Sequence, residues 1–470
     1  MTAAAGGGGF RAGFAAVEIT PAPGTHLAGR GDGAHRSAEA ILDPLYARAA
    51  VFEHGGRRVC FLILDVTIVT RPWTERLRRA AADQWGFAPE AVMVAATQTH
   101  SAPPLGHFMV DDDFPALPAE QEYLRGGETA YFERACNGAV EAIAGAVADL
   151  APAAAAAGSA VRDGLAFNRR GITRDGRVTM PWFYSSLQQP LGPTHIRYLE
   201  GPVDPEVGVL CFRGEDLAPR GALLHYTCHP VNVFAQPGNA VSADWPGAWA
   251  HQLRERLGMA RLPVVLNGCC GNLNPWPAFE PDFHPDHRRM GAILAERAEA
   301  VARQLRYGPV ERLDWRCRRV PLHLKSADPE RLAAAAAMLA EHPQPLWSAE
   351  RPGTIHPDWF RAASVMSVEL MRRRGPDLAY EIQAFRLGDT AVVGLPGEPF
   401  VEGQLAIKLA SPAAQTFVAH AATEYVGYLP TRAAHARGGH EVDFSYWAKL
   451  APEALDRVVE ETTVLLRELF

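Results

Sequence analysis

The residues best equipped for chemistry lie in separated polar clusters, several of them directly after an apolar run. One is Thr97-Gln98-Thr99-His100-Ser101-Ala102-Pro103. In an extended segment, positions i and i+2 point to one side, so Gln98 and His100 are expected to face the same space. Another is Leu224-His225-Tyr226-Thr227-Cys228-His229-Pro230. Alternation sends His225, Cys228 and His229 in different directions, so they are not expected to hold one ion together. His229 precedes proline, which keeps it out of helical geometry. In Pro396-Gly397-Glu398-Pro399 a carboxylate is fixed between rigid turn residues. The last cluster is Thr423-Glu424-Tyr425-Val426-Gly427-Tyr428, followed by Arg437-Gly438-Gly439-His440-Glu441. Its glycine pair permits close approach of His440 to a ligand.

Each of these has a structural alternative. His100 and His229 can be satisfied loop histidines, Glu398 a helix N-terminal acid, and the tyrosines core. Asp244, in Ser242-Ala243-Asp244-Trp245-Pro246, reads as a helix N-cap with Pro246 in the first turn. The chain contains no HExxH helix, no Cys/His zinc spacing and no GxSxG elbow. Gly268-Cys269-Cys270-Gly271 lacks the serine such an elbow needs, and neither cysteine has a sequence-local base. Gly29-Arg30-Gly31-Asp32-Gly33 lacks the strand and helix of a nucleotide fingerprint and reads as a loop.

The elements that must carry these clusters are short. Apolar runs at 59–64, 91–96, 262–266 and 391–395 fit strands buried on both faces. Amphipathic stretches at 74–83, 129–149, 246–257 and 288–305 read as helices between them, and another runs from 453 to the end. Strand then helix, repeated, predicts an α/β protein of layered sheets flanked by helices. Ligands in such folds sit beyond the carboxyl ends of strands, where the clusters fall. The alanine run Ala153–Ala157 reads as a loop or helix end, and 342–357 as a Pro-rich connector after a helix at 329–341. No internal repeat is visible. The expected organisation is a disordered lead over 1–10, then one large domain over 11–470 with a minor subdomain near 310–380.

Composition supports a folded, well-cored chain: 470 residues, 48% hydrophobic and 21% charged. A formal charge of −7 argues against a nucleic-acid footprint. No targeting segment or membrane-length apolar run is visible, and seven cysteines form no CxxC pair. A cytoplasmic protein with reduced thiols is the expectation.

Taken in order, these segments resemble the neutral (non-lysosomal) ceramidase family, zinc-dependent amidases that cleave the N-acyl bond of ceramide. The resemblance rests on GFAAVEITP, LDPLYARAAVFEHGGRRVCFLILD, ATQTHSAP, FNRR, TCHPVN with VSADWPG, NGCCGNLNP, LPGEPF and EYVGYLPTRAAHARGGHE, and spans roughly Gly13 to Glu441. It implies one zinc ion held by His229, Glu398 and Tyr428, with Gln98 at the place of a further family histidine. It also implies His100 as a catalytic histidine and Arg169 as the guanidinium that polarises the substrate carbonyl. Three positions depart from the pattern. Gln98 replaces a metal-binding His, so its amide oxygen, His100 or another residue takes over that role. His440 replaces an active-site Tyr, and Asn274 a serine. Neither the family's secretion signal nor its C-terminal immunoglobulin-like domain is expected here.

The function expected from the resemblance is zinc-dependent hydrolysis of a linear amide in a small, non-ceramide acyl-amine. No stable membrane association is expected, and self-association is left open. One alternative is the same scaffold turned to acyl transfer or cyclisation. Another is a binding protein on a degenerate site.

Overall fold

The computed structural model describes residues 9–182 and 185–470. Of the expected lead, residues 1–8 lie outside the described residues. Phe10 is already buried, its ring 6.0 Å from Phe52 and 6.1 Å from Phe212.

The apolar runs form strands of three larger sheets. The first contains β1 (Arg11–Glu18), β2 (Tyr46–His54), β3 (Arg57–Leu64) and β4 (Val92–Ala96), in the order β4-β3-β2-β1, with Ala151–Pro152 at its edge. The second contains β5 (Ala154–Val161), β6 (Glu206–Arg213), β7 (Pro219–Tyr226) and β8 (Val264–Asn267), in the order β8-β7-β6-β5. The third contains β9 (Leu313–His323), β10 (Asp377–Leu387), β11 (Thr390–Gly394) and β12 (Gln415–Ala419), in chain order.

All three share one plan. Three strands run antiparallel in chain order, then a helix crosses over to a fourth strand parallel to the third. The crossover helices are Arg71–Trp85, Asp244–Leu257 and Val401–Ala410. This threefold repeat of topology leaves no trace in the sequence. Insertions of very different length interrupt the units, notably 162–205 and 324–376. Strand–helix alternation had suggested layers, and layers form, but the sheets are mixed and predominantly antiparallel.

The sheets meet in a common apolar core. Phe14, Phe52 and Phe61 of the first pack with Phe212 of the second and Phe385 and Phe417 of the third. Phe52 and Phe212 lie 4.8 Å apart, Phe61 and Phe385 4.9 Å. Burying one such side chain contributes on the order of 1.5–3 kcal/mol. Helix Thr129–Ala148 covers the outer face of the first sheet, Asp244–Leu257 and His287–Ala302 that of the second, and Ala454–Leu469 that of the third.

Some local expectations are corrected. The alanine run is strand β5, not a loop or helix end, and Ala156 pairs with Cys211. Pairing overrides its weak strand propensity. A Cβ on Gly158 would come within 2.8 Å of Leu305, so this small-residue face lets a covering segment sit close. Asp244 does not cap its helix, since Ala243 holds that place and Asp244 has φ +51°. Its carboxylate accepts hydrogen bonds from Trp245 N (2.7 Å), Val233 N (2.8 Å) and Asn232 Nδ2 (3.1 Å), tying the helix to the loop after His229. Residues 342–356 do connect two elements, but the second is a helix, Pro357–Arg374, that patterning missed. Its Trp359, Phe360 and Ala363 pack with Ile68, Phe108 and Met109 near the site described next.

All seven cysteines are unpaired. Among the described residues no helix is long and apolar enough to cross a membrane.

Candidate active site

The parallel strand pairs end on the same side of the molecule, and the polar clusters leave from those ends. Gln98 and His100 follow β4, His229 follows β7, Cys270 follows β8, Glu398 follows β11 and His420 follows β12. Hydrogen bonds staple these loops across sheets. Asn267 Nδ2 donates to Thr97 O (3.0 Å), His420 N to Asn267 O (3.0 Å) and His100 N to Pro230 O (3.1 Å).

Glu398 and Tyr428 are neighbours in a short parallel pairing, Glu398–Pro399 against Tyr428–Leu429. Gly271 donates its N–H to Pro399 O at 3.1 Å. A Cβ on Gly271 would stand 2.4 Å from Glu398 O, so only glycine allows the loop after β8 this close. Arg169 is fixed by the pairing of Phe167–Asn168 with Leu273–Asn274 and by its own N–H on Asn272 O (2.8 Å).

The centre of the site is a contact between two buried side chains. His229 Nε2 lies 3.1 Å from Glu398 Oε2. The other ring nitrogen, Nδ1, faces Cys270 O (2.6 Å) and Leu273 O (2.9 Å), which can only accept, so Nδ1 carries a proton. Tyr425 Oη donates to Glu398 Oε1 at 3.0 Å. Burial by itself would raise the Glu398 carboxyl. A hydrogen bond from His229, made when a proton is shared between Nε2 and the carboxylate, and the charge of Arg169 override it and bring the group down to about 2.

His100 approaches from the other side, its ring 5.4 Å from that of His229. Its Nδ1 donates to Gly29 O (3.2 Å), which leaves Nε2 with a lone pair. Burial and then neighbouring His229 lower it to about 3. A neutral imidazole with a free Nε2 is built to accept a proton or bind a cation.

Gln98 is near His100, but not by strand alternation. Gln98 has φ +67°, so the segment turns there, and both side chains still line one cavity. Gln98 Oε1 lies 2.8 Å from His420 Nε2, while His420 Nδ1 donates to Gly268 O. Burial brings His420 down to about 4, so it is neutral and has a single N–H. With that proton on Gly268 O, the Gln98 amide group must donate to Nε2, which releases its oxygen for another partner.

These donors suit a divalent cation such as zinc: imidazole nitrogen, carboxylate, and amide and phenol oxygens. Nε2 of His229 and the Glu398 carboxylate are two acceptors turned on one another, an arrangement that calls for a shared proton or a cation. Among the described residues no three His, Cys, Asp or Glu side chains are gathered to hold an ion unaided. Gln98 and Tyr428 line the same cavity as Glu398, and their oxygens would be further donors of such a set.

Arg169 lies behind the cavity wall rather than in it. Its Nε donates to Glu441 Oε1 (2.9 Å), and its guanidinium lies 5.4 Å from the centre of the Tyr428 ring. Nη2 is buried without a well-formed hydrogen bond. Tyr428 is pushed above the usual phenol range by burial first and the Glu398 charge next, against the pull of Arg169. His440 stands at the mouth, edge-on to Tyr428 at 5.7 Å and stacked on Trp447 at 5.9 Å. Asn274 is 3.5 Å from Arg169 Nη1.

A cavity of about 70 Å³ opens between Gln98, His100, Glu398, Tyr425, Tyr428 and His440. Residue types alone had left Tyr425 among core aromatics and gave no reason to single out His420 or Glu441. The Gly29–Gly33 segment is a loop, as read, and its Gly29, Arg30 and Gly31 form part of the cavity wall. Gly29 has φ +102°, and a Cβ there would stand 2.6 Å from His100 Nδ1. Gly29→Ala is expected to cost about 1–3 kcal/mol in strain and to displace His100. A variant with unchanged denaturation midpoint and activity would contradict this. Cys270 Sγ lies 3.9 Å from both ring nitrogens of His420, but it is fully buried and burial pushes its thiol well above the usual range. It is placed as packing, not as a nucleophile.

No protein-family model matches the chain. It is 24% identical over 475 residues to the neutral ceramidase of Pseudomonas aeruginosa, a match covering 90% of this chain and 67% of that protein. The crystal structure of neutral ceramidase from Pseudomonas aeruginosa superposes with a TM-score of 0.70 at 21% identity, covering 97% of this chain and 74% of the other. A ceramidase complexed with C2 superposes at 0.69 and 21% identity, covering 98% and 75%. The ordered motifs and the architecture thus agree: this chain is a distant homologue of neutral ceramidase and carries a ceramidase-like fold.

Proposed function

We propose that this protein is a zinc-dependent amidohydrolase that cleaves the N-acyl bond of a small acyl-amine other than ceramide. The observation that carries the reading is the buried contact of His229 Nε2 with Glu398 Oε2, whose partner atoms leave both as acceptors. His229, Glu398 and Tyr428, joined by the Gln98 amide oxygen, would hold the ion. Bound there, it would supply Lewis-acid polarisation of the amide carbonyl and a more acidic water.

The rest of the work falls to the chain itself. His100 Nε2, held in its tautomer by Gly29 O, takes the proton of the attacking water. Tyr425 holds the Glu398 carboxylate in one orientation. Arg169, anchored on Glu441, places a positive charge behind the Tyr428 phenol and favours negative charge developing on the cavity side. His100, whose burial disfavours keeping a proton, then gives it to the leaving amine, and His440 stands beside Tyr428 at the mouth where that amine departs. The small cavity, about 70 Å³, suits an amide group and its immediate substituents.

Metal analysis of the purified chain, with a panel of N-acyl amines, tests this. Zinc near one equivalent is expected, with activity lost to a chelator and restored by zinc, and free acid as the product. A metal-free enzyme indifferent to chelators would overturn the metal assignment. Transfer or cyclised products without free acid would replace hydrolysis by acyl transfer.

A further inference from the structure

A second cleft of about 460 Å³ adjoins the catalytic cavity, and Arg30, Gly31 and Trp447 line both. Trp447 forms the partition. One side of its environment is His440, stacked at 5.9 Å, and the other is Phe360, at 6.3 Å. The far walls are the 342–356 connector and the start of helix Pro357–Arg374.

The cleft combines an apolar floor with a surplus of guanidinium. Ile355, Phe360 and Phe444 supply the floor. Arg30, Arg331, Arg351 and Arg361 surround it, against only Asp32 and Asp443 in the lining. Arg30 pairs with Asp32 (3.1 Å), Arg331 with Asp443 (3.1 Å), and Arg361 turns to Asp358 (2.7 Å). Among the described residues no carboxylate lies within ion-pair distance of Arg351. The Nε of Arg331 is buried without a hydrogen bond. The existing pairs are solvent-exposed, and such pairs are worth roughly 0–1 kcal/mol, so an incoming anion can displace them. Guanidinium forks match carboxylate and phosphate geometry.

We propose that this cleft is a substrate subsite for an anionic group, carboxylate or phosphate, borne on an aryl or short alkyl part of an acyl-amine whose amide passes Trp447 into the catalytic cavity. The inference deepens the amidohydrolase reading by naming its substrate class, and its test is separable from that reading because it measures binding.

Calorimetric titration of the full chain would use N-acetylphenylalanine, its uncharged N-methylamide and the phosphate monoester of N-acetyltyramine. At least one anionic probe is expected to bind tenfold or more tightly than the uncharged one, with the preference shrinking as salt rises. Arg351→Glu is expected to abolish the preference. Asp443→Asn, which frees Arg331, is expected to enlarge it several-fold, and both variants are checked for an unchanged denaturation midpoint. Equal binding of charged and uncharged probes, no binding of any probe, or an undiminished preference in folded R351E would overturn the subsite. Preferential binding without hydrolysis would leave the subsite standing and count against the hydrolase reading.

Discussion

Glu398→Gln is expected to lower kcat/KM by about a thousandfold, close to 4 kcal/mol at 1.36 kcal/mol per factor of ten. The change keeps the shape and the Tyr425 neighbour but removes the charge that faces His229 Nε2 at 3.1 Å. A neutral amide is a poor partner for a cation, or for a proton shared with the fully buried His229 Nε2. Bound zinc is expected to fall with activity. Tyr425→Phe, which loses only the hydrogen bond to Oε1, is expected to cost about 10- to 100-fold, as is usual when an orienting partner of a ligand is removed. Steady-state kinetics with metal analysis on the same samples decide the matter. If E398Q retained wild-type turnover and metal content, the carboxylate would have no place in the chemistry.

Asp65→Ala is expected to be the most damaging change to stability, roughly 3–5 kcal/mol. Asp65 directly follows β3, and Arg48 comes from the adjacent β2. Arg48 Nη1 donates to Asp65 Oδ1 at 2.8 Å, Nη2 lies 2.8 Å from Oδ2, and both side chains are fully buried. The carboxylate also accepts from Tyr46 N (3.0 Å) and from Thr97 Oγ1 (3.3 Å), next to Gln98. Truncation leaves a guanidinium in the core with no counter-ion and loosens the loop that carries Gln98 and His100. Replacing both partners, as Arg48→Met with Asp65→Leu, is expected to recover much of the loss, because no charge is then left buried. Denaturant titrations of the three variants read this out. A loss below about 1 kcal/mol in D65A would mean that the pair is solvated or replaceable, contrary to its burial.

Much of the scaffold was legible from residue order. The runs at 59–64 and 391–395 are strands because continuous apolar sequence can be buried only where both faces are covered. The stretch 129–149 is a helix because its apolar positions recur on one face, and that face is buried. The Ala153–Ala157 segment failed because its conformation is imposed by the strand beside it rather than by its own side chains. Helix Pro357–Arg374 was missed because its buried residues run almost without a break from Trp359 to Val368, on more than one face and with Ser364 and Ser367 among them, which blurs the amphipathic period.

Residue chemistry by itself singled out His100, His229, Glu398 and His440 as groups able to bind or transfer, because imidazole and carboxylate next to proline or glycine turns carry that capacity wherever they fold; Tyr428 and Arg169 entered only through the family resemblance. What only the tertiary structure decided is which atoms meet. Three sheets of one topology bring their parallel strand ends to one place. Backbone carbonyls then settle the tautomers of His100 and His229, His420 backs Gln98 from a different sheet, and Arg169 is placed behind Tyr428 rather than in the cavity. Those outcomes depend on contacts between residues from 41 to 322 positions apart, and no local spacing encodes them.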